Sequence, residues 1–513
     1  MKKTLEQLAE RLLAGGLMPY YHLTGAEETV ITDITDYSKE ATPGCLFVCK
    51  GAGFREEYLL EAIRRGAAGY VSEQRWPNAP REVPALIVSD IRTAMMVLSV
   101  AFFEAPSEEL QVTAVTGTKG KTTTSHMLKA VLDQHLRAQG KNRAGLISSI
   151  EISAGETRKD SVNTTPESIE LQRALRHAAD SGQEYVVLEV SSQALKYQRT
   201  ANTRFRTATF LNISEDHVSP IEHPDFEDYF ASKLRIFRQC ETAVVNLDAD
   251  FSDRVLAEAR AHAPETVTFS LRDPSADHYG WAVRHDETGL AFTVTERRTG
   301  ADESYHIRRA GLVNVENALA VIATARSLGI PAERIRTGLE EVRVPGRMEL
   351  FRSSDRKILA VVDFAHNKLS LERLFETVMQ TWPDYTRRVL IIGSVGGKAF
   401  DRRKGIGEVA AKYADRTYIS ADDSDAEPFL KIAGEIAAPI EAQGGDFEII
   451  EDRGVAIHKA ISEVREPTVL LVCGRGREGA QKVDHRYLWY PSDVENVERY
   501  LADYDELQRR RQE

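Results

Sequence analysis

Residues 112 to 123, Val112-Thr113-Ala114-Val115-Thr116-Gly117-Thr118-Lys119-Gly120-Lys121-Thr122-Thr123, run an apolar stretch into a turn with two glycines, then a lysine and two threonines. Those residue types, in that order, suit a phosphate group. Gly117 and Gly120 let backbone amides converge on phosphate oxygens, a helix start behind them adds positive potential, Lys121 reaches the terminal phosphates, and Thr122 offers an oxygen to Mg²⁺. Thr118 and Thr123 belong to the same turn. The pattern is shorter than the general phosphate-loop form, and a glycine turn that only caps a helix is the bland alternative. The preceding strand-like run and the following helical pattern favour a site for ATP. Glu189 closes a second apolar run, Tyr185 to Val190, where a carboxylate faces the loop and can hold a hard cation such as Mg²⁺ through oxygen; a surface glutamate is the alternative. Lys233 lies in a helical pattern with Phe226, Phe230, Leu234 and Phe237 near one face, and taken alone it is an ordinary helix lysine.

These groups need elements to hold them. Met127, Leu128, Val131, Leu132 and Leu136 fall on one helical face behind the glycine turn. Val112 to Thr116, Tyr185 to Val190, Thr207 to Ile213 and Ala243 to Asn246 are strand-like runs ending in polar residues, several with helical patterns between them. That pattern predicts a largely parallel sheet with its ligand site at the carboxyl edge. Before them, Cys45 to Val48 and Ala85 to Val88 alternate with helical stretches as a small α/β unit, and Ala105-Pro106-Ser107 makes a joint. After Val344-Pro345-Gly346, the runs Ile358 to Asp363, Val389 to Gly393, Thr417 to Ser420 and Thr468 to Gly474 predict a third α/β domain, with residues 508 to 513 as a fraying tail. At 513 residues, and about 150 per domain, the chain is expected to form three α/β domains, 1–107, 108–343 and 344–513.

Composition excludes other classes. Against 66 Lys and Arg stand 78 Asp and Glu, a net charge of −12, so nucleic acid is not an expected partner and any phosphate must be held by a local site. Cys45, Cys49, Cys240 and Cys473 are scattered and are expected to be reduced thiols. The N-terminus carries acidic residues where a signal peptide has an apolar core, and no stretch is long enough to span a membrane, so a cytoplasmic protein is expected.

Further stretches share a single resemblance: Asn163-Thr164-Thr165-Pro166-Glu167-Ser168, Glu189-Val190-Ser191-Ser192, Asn212-Ile213-Ser214-Glu215-Asp216-His217, Lys233, Asn314-Val315-Glu316-Asn317, Pro345-Gly346-Arg347, Asp363-Phe364-Ala365-His366 and Gly474-Arg475-Gly476-Arg477-Glu478. With the glycine turn, and in this order along essentially the whole chain, they resemble the Mur ligase family, and within it the MurE-type branch that adds the third amino acid of the peptidoglycan stem peptide. The resemblance implies three domains: an N-terminal domain for a UDP-sugar, a central ATPase domain and a Rossmann-like C-terminal domain for the incoming amino acid. It implies an ATP-dependent ligase, expected to be monomeric, that activates a carboxylate of UDP-N-acetylmuramoyl-L-alanyl-D-glutamate as an acyl phosphate, joins it to a free amino acid, and closes its C-terminal domain to keep water out. By the same resemblance Glu189 and His217 hold Mg²⁺, and Lys233 carries a CO₂-derived carbamate that turns a cation into a metal-holding anion. Asn314 and Asn317 contact adenine, and Arg347 and Asp363 contact nucleotide phosphate and ribose, with loop capping or a surface ion pair as the plain alternative. Ser38 lies in the stretch that recognises the uridine nucleotide. Asn163, Thr164, Thr165, Ser191 and Arg199 hold the acceptor peptide, while Arg402, Gly474 and Glu478 face the incoming amino acid.

The sequence also departs from the family. Asp422-Asp423-Ser424-Asp425-Ala426-Glu427-Pro428 stands where Asp-Asn-Pro-Arg is usual, so the arginine that grips the distal carboxylate of meso-diaminopimelate is missing. Asp422 keeps the first position. An acid at Asp425 favours an ammonium, hence lysine or another diamino acid, unless Asp425 simply faces solvent. Tyr37-Ser38-Lys39 replaces Asp-Ser-Arg, Gln193 replaces a histidine, and Lys368 replaces a proline. A Mur-ligase-like paralogue acting on a different carboxylate and amine, or a non-catalytic nucleotide-binding module, are the competing readings.

Overall fold

The computed structural model describes every residue except 19–24, 52, 216–221, 286–288 and 513. The described residues form two compact units: Met1–Ala282 with Phe292–Tyr305 and Glu316–Glu341, and Val283–Ala291 with His306–Val315 and Val342–Glu513.

After the helix Leu5–Ala14, the first unit has four parallel strands, β1 (Asp33–Thr35), β2 (Cys45–Val48), β3 (Gly69–Ser72) and β4 (Ala85–Ile87), paired in that order. Leu46, Phe47 and Val48 are fully buried, as runs covered on both faces should be. At Ala105-Pro106-Ser107, Ala105 takes a left-handed φ of 46° ahead of a one-turn 3₁₀ helix at Pro106–Glu108.

A large sheet follows. Its parallel centre contains β5 (Gln111–Thr116), β6 (Gly145–Ile147), β9 (Tyr185–Glu189), β10 (Phe205–Phe210), β11 (Cys240–Asn246) and β12 (Glu265–Ser270), in the spatial order β6-β9-β5-β10-β11-β12. Beyond β6, the hairpin β7 (Glu151–Ala154) and β8 (Thr157–Asp160) adds antiparallel strands; beyond β12 come β13 (His278–His285), β14 (Leu290–Glu296) and β15 (Ala301–Ile307). These edge additions are not anticipated from sequence, and for β8 the reason is physical. Strand β8, Thr157-Arg158-Lys159-Asp160, is exposed along its length and has no apolar residue to set a period. Behind β5, helix α1 (Lys121–Ala138) buries Met127, Leu128, Val131, Leu132 and Leu136 completely, on the face that the spacing predicts. Each such side chain contributes about 1.5–3 kcal/mol relative to exposure. Helix α2 (Ser192–Lys196) leaves the end of β9, and helix α3 (Phe226–Leu234) precedes β11 and buries Tyr229, Phe230 and Leu234.

In the second unit, β16 (Glu349–Arg352) runs antiparallel to β17 (Ile358–Asp363). Beside β17 lie the parallel strands β21 (Thr468–Cys473), β18 (Arg387–Ile392), β19 (Arg416–Ile419) and β20 (Phe447–Ile449), in that spatial order. Helix α4 (Phe400–Tyr413) follows β18, α5 (Arg453–Ser462) precedes β21, and a hairpin, β22 (Ala480–Val483) with β23 (Arg486–Trp489), lies between β21 and the last helix, α6 (Asp493–Gln512). Residues 508–512 of the expected fraying tail are helix instead: α6 runs through them, with an Arg510 to Glu506 pair one turn apart and arginines near its C-terminal end where they interact favourably with the helix dipole. All four cysteines are buried and unpaired. Among the described residues, no helix is long and apolar enough to cross a membrane.

Candidate active site

The glycine turn lies at the carboxyl end of β5, between the ends of β9 and β10. Gly117 has φ +152° and Gly120 φ +86°; a Cβ on Gly120 would lie 2.5 Å from Asn317 Oδ1, and one on Gly117 would lie 3.0 Å from Leu211 Cβ, so any side chain meets both strain and a wall. The loop is tied down from the β10 side. Thr118 N donates to Asn212 O at 3.0 Å, Lys119 N to Asn212 Oδ1 at 2.9 Å, and Thr118 Oγ1 lies 3.0 Å from the Tyr229 hydroxyl. Lys121 Nζ folds back over the turn onto the carbonyls of Gly117, at 3.0 Å, and Thr118, at 3.2 Å. Thr123 is half-buried in the first turn of α1.

Glu189 is fully buried at the end of β9. Thr122 Oγ1 donates to its Oε2 at 3.1 Å, Ser149 N donates to its Oε1 at 3.2 Å, and the hydroxyls of Ser149 and Thr122 are 2.8 Å apart. Carboxylate and hydroxyl oxygens beside a phosphate turn are the donors a hard divalent cation prefers. Lys233, in the last turn of α3 and only 2% exposed, donates from Nζ to Gly117 O at 2.9 Å and sits 4.8 Å from the Tyr229 ring centroid. Lys121, Thr122, Glu189 and Lys233 therefore converge on one turn, whereas His217 lies outside the described residues. Among the described residues, no three His, Cys, Asp or Glu side chains cluster as a metal site.

Thr165 joins this region: its Oγ1 donates to Glu189 O at 2.8 Å, and Ser191 N donates back to it at 3.0 Å. Arg199 Nη1 donates to Thr165 O at 3.1 Å, while its Nη2 pairs with Glu167 at 2.8 Å. Glu167 also faces Lys50 at 3.0 Å, which in turn pairs with Asp36 at 3.2 Å. Asn163 is exposed and Thr164 half-exposed in the loop leading to Thr165. Ser38 is buried and gives its hydroxyl to Glu61 at 2.7 Å.

In the second unit, four strand ends meet at the carboxyl edge. Asp363, closing β17, accepts Met348 N and Ala365 N, both at 2.8 Å, and the Arg347 guanidinium lies 4.1 Å from the Phe364 ring centroid. Enclosure pushes the Asp363 carboxyl up against the pull of Arg347, and enclosure also lowers Arg309, which donates to Arg347 O, to about 10. Asn314 donates from Nδ2 to Ala310 O at 2.7 Å. After β19, Asp422 is buried with Oδ1 3.5 Å from Arg475, whose guanidinium also lies 3.2 Å from Asp423. A Cβ on Gly474 would lie 3.2 Å from Asp422 Oδ2. Glu478 keeps solvent access inside a recess of protein; the loss of hydration there, and then the like charge of Asp422, push its carboxyl up to about 8. Arg402 is half-buried at the start of α4.

Asp425 lies three residues beyond Asp422 and is paired within the chain. It sits at φ 52° with Lys482 Nζ at 2.8 Å and His485 Nδ1 at 2.9 Å, and the Lys482 hydrogen bond holds its carboxyl below the usual range. Its charge is matched from within the chain, by the β22–β23 hairpin. Sequence reading also passed over Ser149, Tyr229, Asp423 and Arg475 as site residues. Arg475 lay in a quoted motif, but its burial beneath two carboxylates depends on a contact 53 residues distant.

The Mur ligase middle domain model matches residues 115–325, and the Mur ligase, glutamate ligase domain model matches residues 346–476. A UDP-N-acetylmuramyl-tripeptide synthetase of Bifidobacterium longum is 38% identical over 91% of this chain and 92% of its own length. A UDP-N-acetylmuramoyl-L-alanyl-D-glutamate–L-lysine ligase of Enterococcus faecalis is 34% identical over 94% of each. A solved UDP-N-acetylmuramoyl-L-alanyl-D-glutamate–2,6-diaminopimelate ligase shares the fold, with a TM-score of 0.63 at 22% identity over 98% of this chain and 99% of that one. The chain belongs to the Mur ligase family and is an ATP-dependent ligase.

Proposed function

We propose that this Mur ligase adds an amino acid with a cationic side chain, L-lysine or another diamino acid, to UDP-N-acetylmuramoyl-L-alanyl-D-glutamate. The product is the tripeptide precursor of peptidoglycan, on which cell shape and division depend. One observation carries the reading: Lys121, Thr122, buried Glu189 and Lys233 meet at a single glycine turn, while an acidic recess at Asp422 and Glu478 lies at a separate sheet edge. The names of the relatives from Bifidobacterium longum and Enterococcus faecalis support the same assignment.

In this reading the loop amides and Lys121 hold the ATP phosphates and offset the negative charge that builds when a carboxylate oxygen attacks the γ-phosphorus. Thr122, Glu189, His217 and Lys233 as its carbamate would hold Mg²⁺, which would supply further neutralisation. Uptake of CO₂ by the neutral Lys233 amine, with loss of a proton, makes that carbamate anion. Arg199, braced by Glu167, positions the acceptor carboxylate with Asn163, Thr164, Thr165 and Ser191, and Ser38 belongs to the UDP-sugar end. Asn314 and Asn317 take adenine, and Arg347 and Asp363 the phosphate and ribose. Arg402 takes the α-carboxylate of the incoming amino acid, and Asp422, Gly474 and Glu478 face its ammonium groups. The carboxylate O–P bond forms as the bond from the γ-phosphorus to ADP breaks; the neutral amine then attacks the acyl carbon, the new C–N bond forms as the C–O bond to phosphate breaks, phosphate leaves, and the nitrogen gives up a proton to solvent. The division into 1–107, 108–343 and 344–513, a monomeric state and a cytoplasmic location complete the proposal.

The test is phosphate release with ATP, Mg²⁺ and UDP-N-acetylmuramoyl-L-alanyl-D-glutamate, adding lysine, ornithine or meso-diaminopimelate separately and weighing the product by mass spectrometry. Product with lysine or ornithine is the expected result. Product with meso-diaminopimelate alone would overturn the specificity, and no product with any of the three would overturn the acceptor.

A further inference from the structure

We infer that Glu349 and Arg477 are a positioning pair that locks the nucleotide-facing turn at Arg347 to the amino-acid-facing loop at Glu478. The inference rests on the proposed roles of Arg347, Asp363 and Glu478. Arg477 grips Glu349 with both arms of its fork, Nε to Oε1 at 2.6 Å and Nη2 to Oε2 at 2.7 Å. Glu349 Oε1 also accepts the backbone N–H of Gly346, so one carboxylate collects donors from the turn and from the loop. The two backbones touch. A Cβ on Gly346 (φ +65°) would lie 3.1 Å from Arg477 N, and one on Gly476 (φ +60°) would lie 3.0 Å from Gly346 O.

The two sides differ in how they are anchored. Gly476 N donates to Asp493 Oδ2 at 3.2 Å, and Asp493 is held by fully buried Arg453 at 2.6 and 2.8 Å, which also donates to Cys473 O at 2.7 Å. The loop is thus fixed to helices α5 and α6. The turn is held at Met348 N by Asp363, at Arg347 O by Arg309, and at Gly346 N by Glu349. Glu349 opens β16 opposite Val362, the residue before Asp363. Through Glu349, the placement of Arg347 depends on the loop that carries Glu478, and the reverse. A rim ion pair with no such role would leave the substrate constants alone.

The experiment compares Glu349→Gln, Arg477→Gln, the double variant and Arg477→Lys, which keeps the charge and loses the fork. KM is measured for ATP, for lysine and for the UDP-sugar dipeptide, with ADP affinity by calorimetry. Each single variant is expected to raise KM for both ATP and lysine by roughly 10-fold, a typical coupling size, with the UDP-sugar KM unchanged. The double variant is expected to be no worse than either single one, and Arg477→Lys to recover only part of the loss. Changes confined to the substrate nearest each residue, additive losses, or a shift in melting temperature alone would overturn the pairing. If the wild type makes no product, the proposed function falls separately and ADP affinity decides: equal, non-additive weakening by Glu349→Gln and Arg477→Gln sustains the pairing, and unchanged affinity overturns it.

Discussion

At the glycine turn of the first unit, Lys121 and Thr122 lie within six residues of Gly117 on one strand–turn–helix, and Glu189 reaches them from the adjacent strand. In the second unit, Asp422 and Asp423 follow β19, whereas Arg475 and Glu478 follow β21, a strand not adjacent to it. The first arrangement is set by local chain geometry and closed by backbone carbonyls. The second is set by tertiary packing and closed by a buried guanidinium between two carboxylates. In the proposed reading, the ATP chemistry is built into a short local unit, whereas selection of the amine relies on groups that only the completed fold brings together.

The sharpest way to break this comparison is Lys233→Ala. Removing the residue proposed to hold metal is expected to cut product formation by at least about 10²–10³-fold while ADP still binds, with short carboxylic acids restoring part of the rate. Undiminished turnover would mean that the first region works without Lys233. Arg475→Ala tests the other side. Because Arg475 is fully buried and faces Asp422 and Asp423, its loss leaves carboxylates uncompensated and is expected to cost about 3–5 kcal/mol in urea unfolding. A loss under 1 kcal/mol would show that water or the hairpin supplies the missing charge.

The third substitution pair separates two aspartates that look alike in sequence. Asp425→Asn is expected to change KM for lysine by less than about 3-fold, since Lys482 already matches its charge and His485 N donates to its Oδ1. Asp422→Asn should raise that KM roughly 10-fold through loss of a charged contact. The reverse ranking would return the ammonium-recognising role to Asp425, where the sequence first placed it.

This contrast also explains what the sequence could reveal. The strands β5, β9 and β17 appear within a residue of their predicted ends because each is an apolar run closed by a polar residue. The glycine turn and Glu189 were legible because their contacts are local or lie one strand away. Lys368 illustrates a departure with a mild structural meaning: it occupies the first position of the helix Lys368–Thr381, where proline is well tolerated but not required. The pairing of Asp425 with Lys482 was not legible, because the hairpin contact spans 57 residues and β23 is exposed along its length, with no alternation in burial to mark it. Ser149 was missed because a serine after a strand has no distinguishing neighbours; its role appears only beside Thr122 and Glu189.

The smallest expected effect is the most diagnostic of the acidic recess. The Glu478 carboxyl is raised from 4.5 to about 8, so near pH 7 it is largely protonated in the folded chain and ionised in the unfolded one. Its contribution to stability is therefore fully present below its ordinary value and is lost as pH rises toward 8, so Glu478→Gln should flatten the fall in stability over that window. Binding works in the opposite direction. An ammonium arriving beside Glu478 favours the carboxylate, so lysine binding should expel up to about one proton near pH 7, and affinity should rise toward pH 8. Calorimetry in two buffers of different ionisation enthalpy measures that proton directly. Proton release that vanishes in Glu478→Gln places the ammonium at Glu478. Release that persists there moves it to Asp422, whose carboxyl is also raised by burial; absence of release in the wild type would mean that the incoming side chain does not meet this recess as a cation.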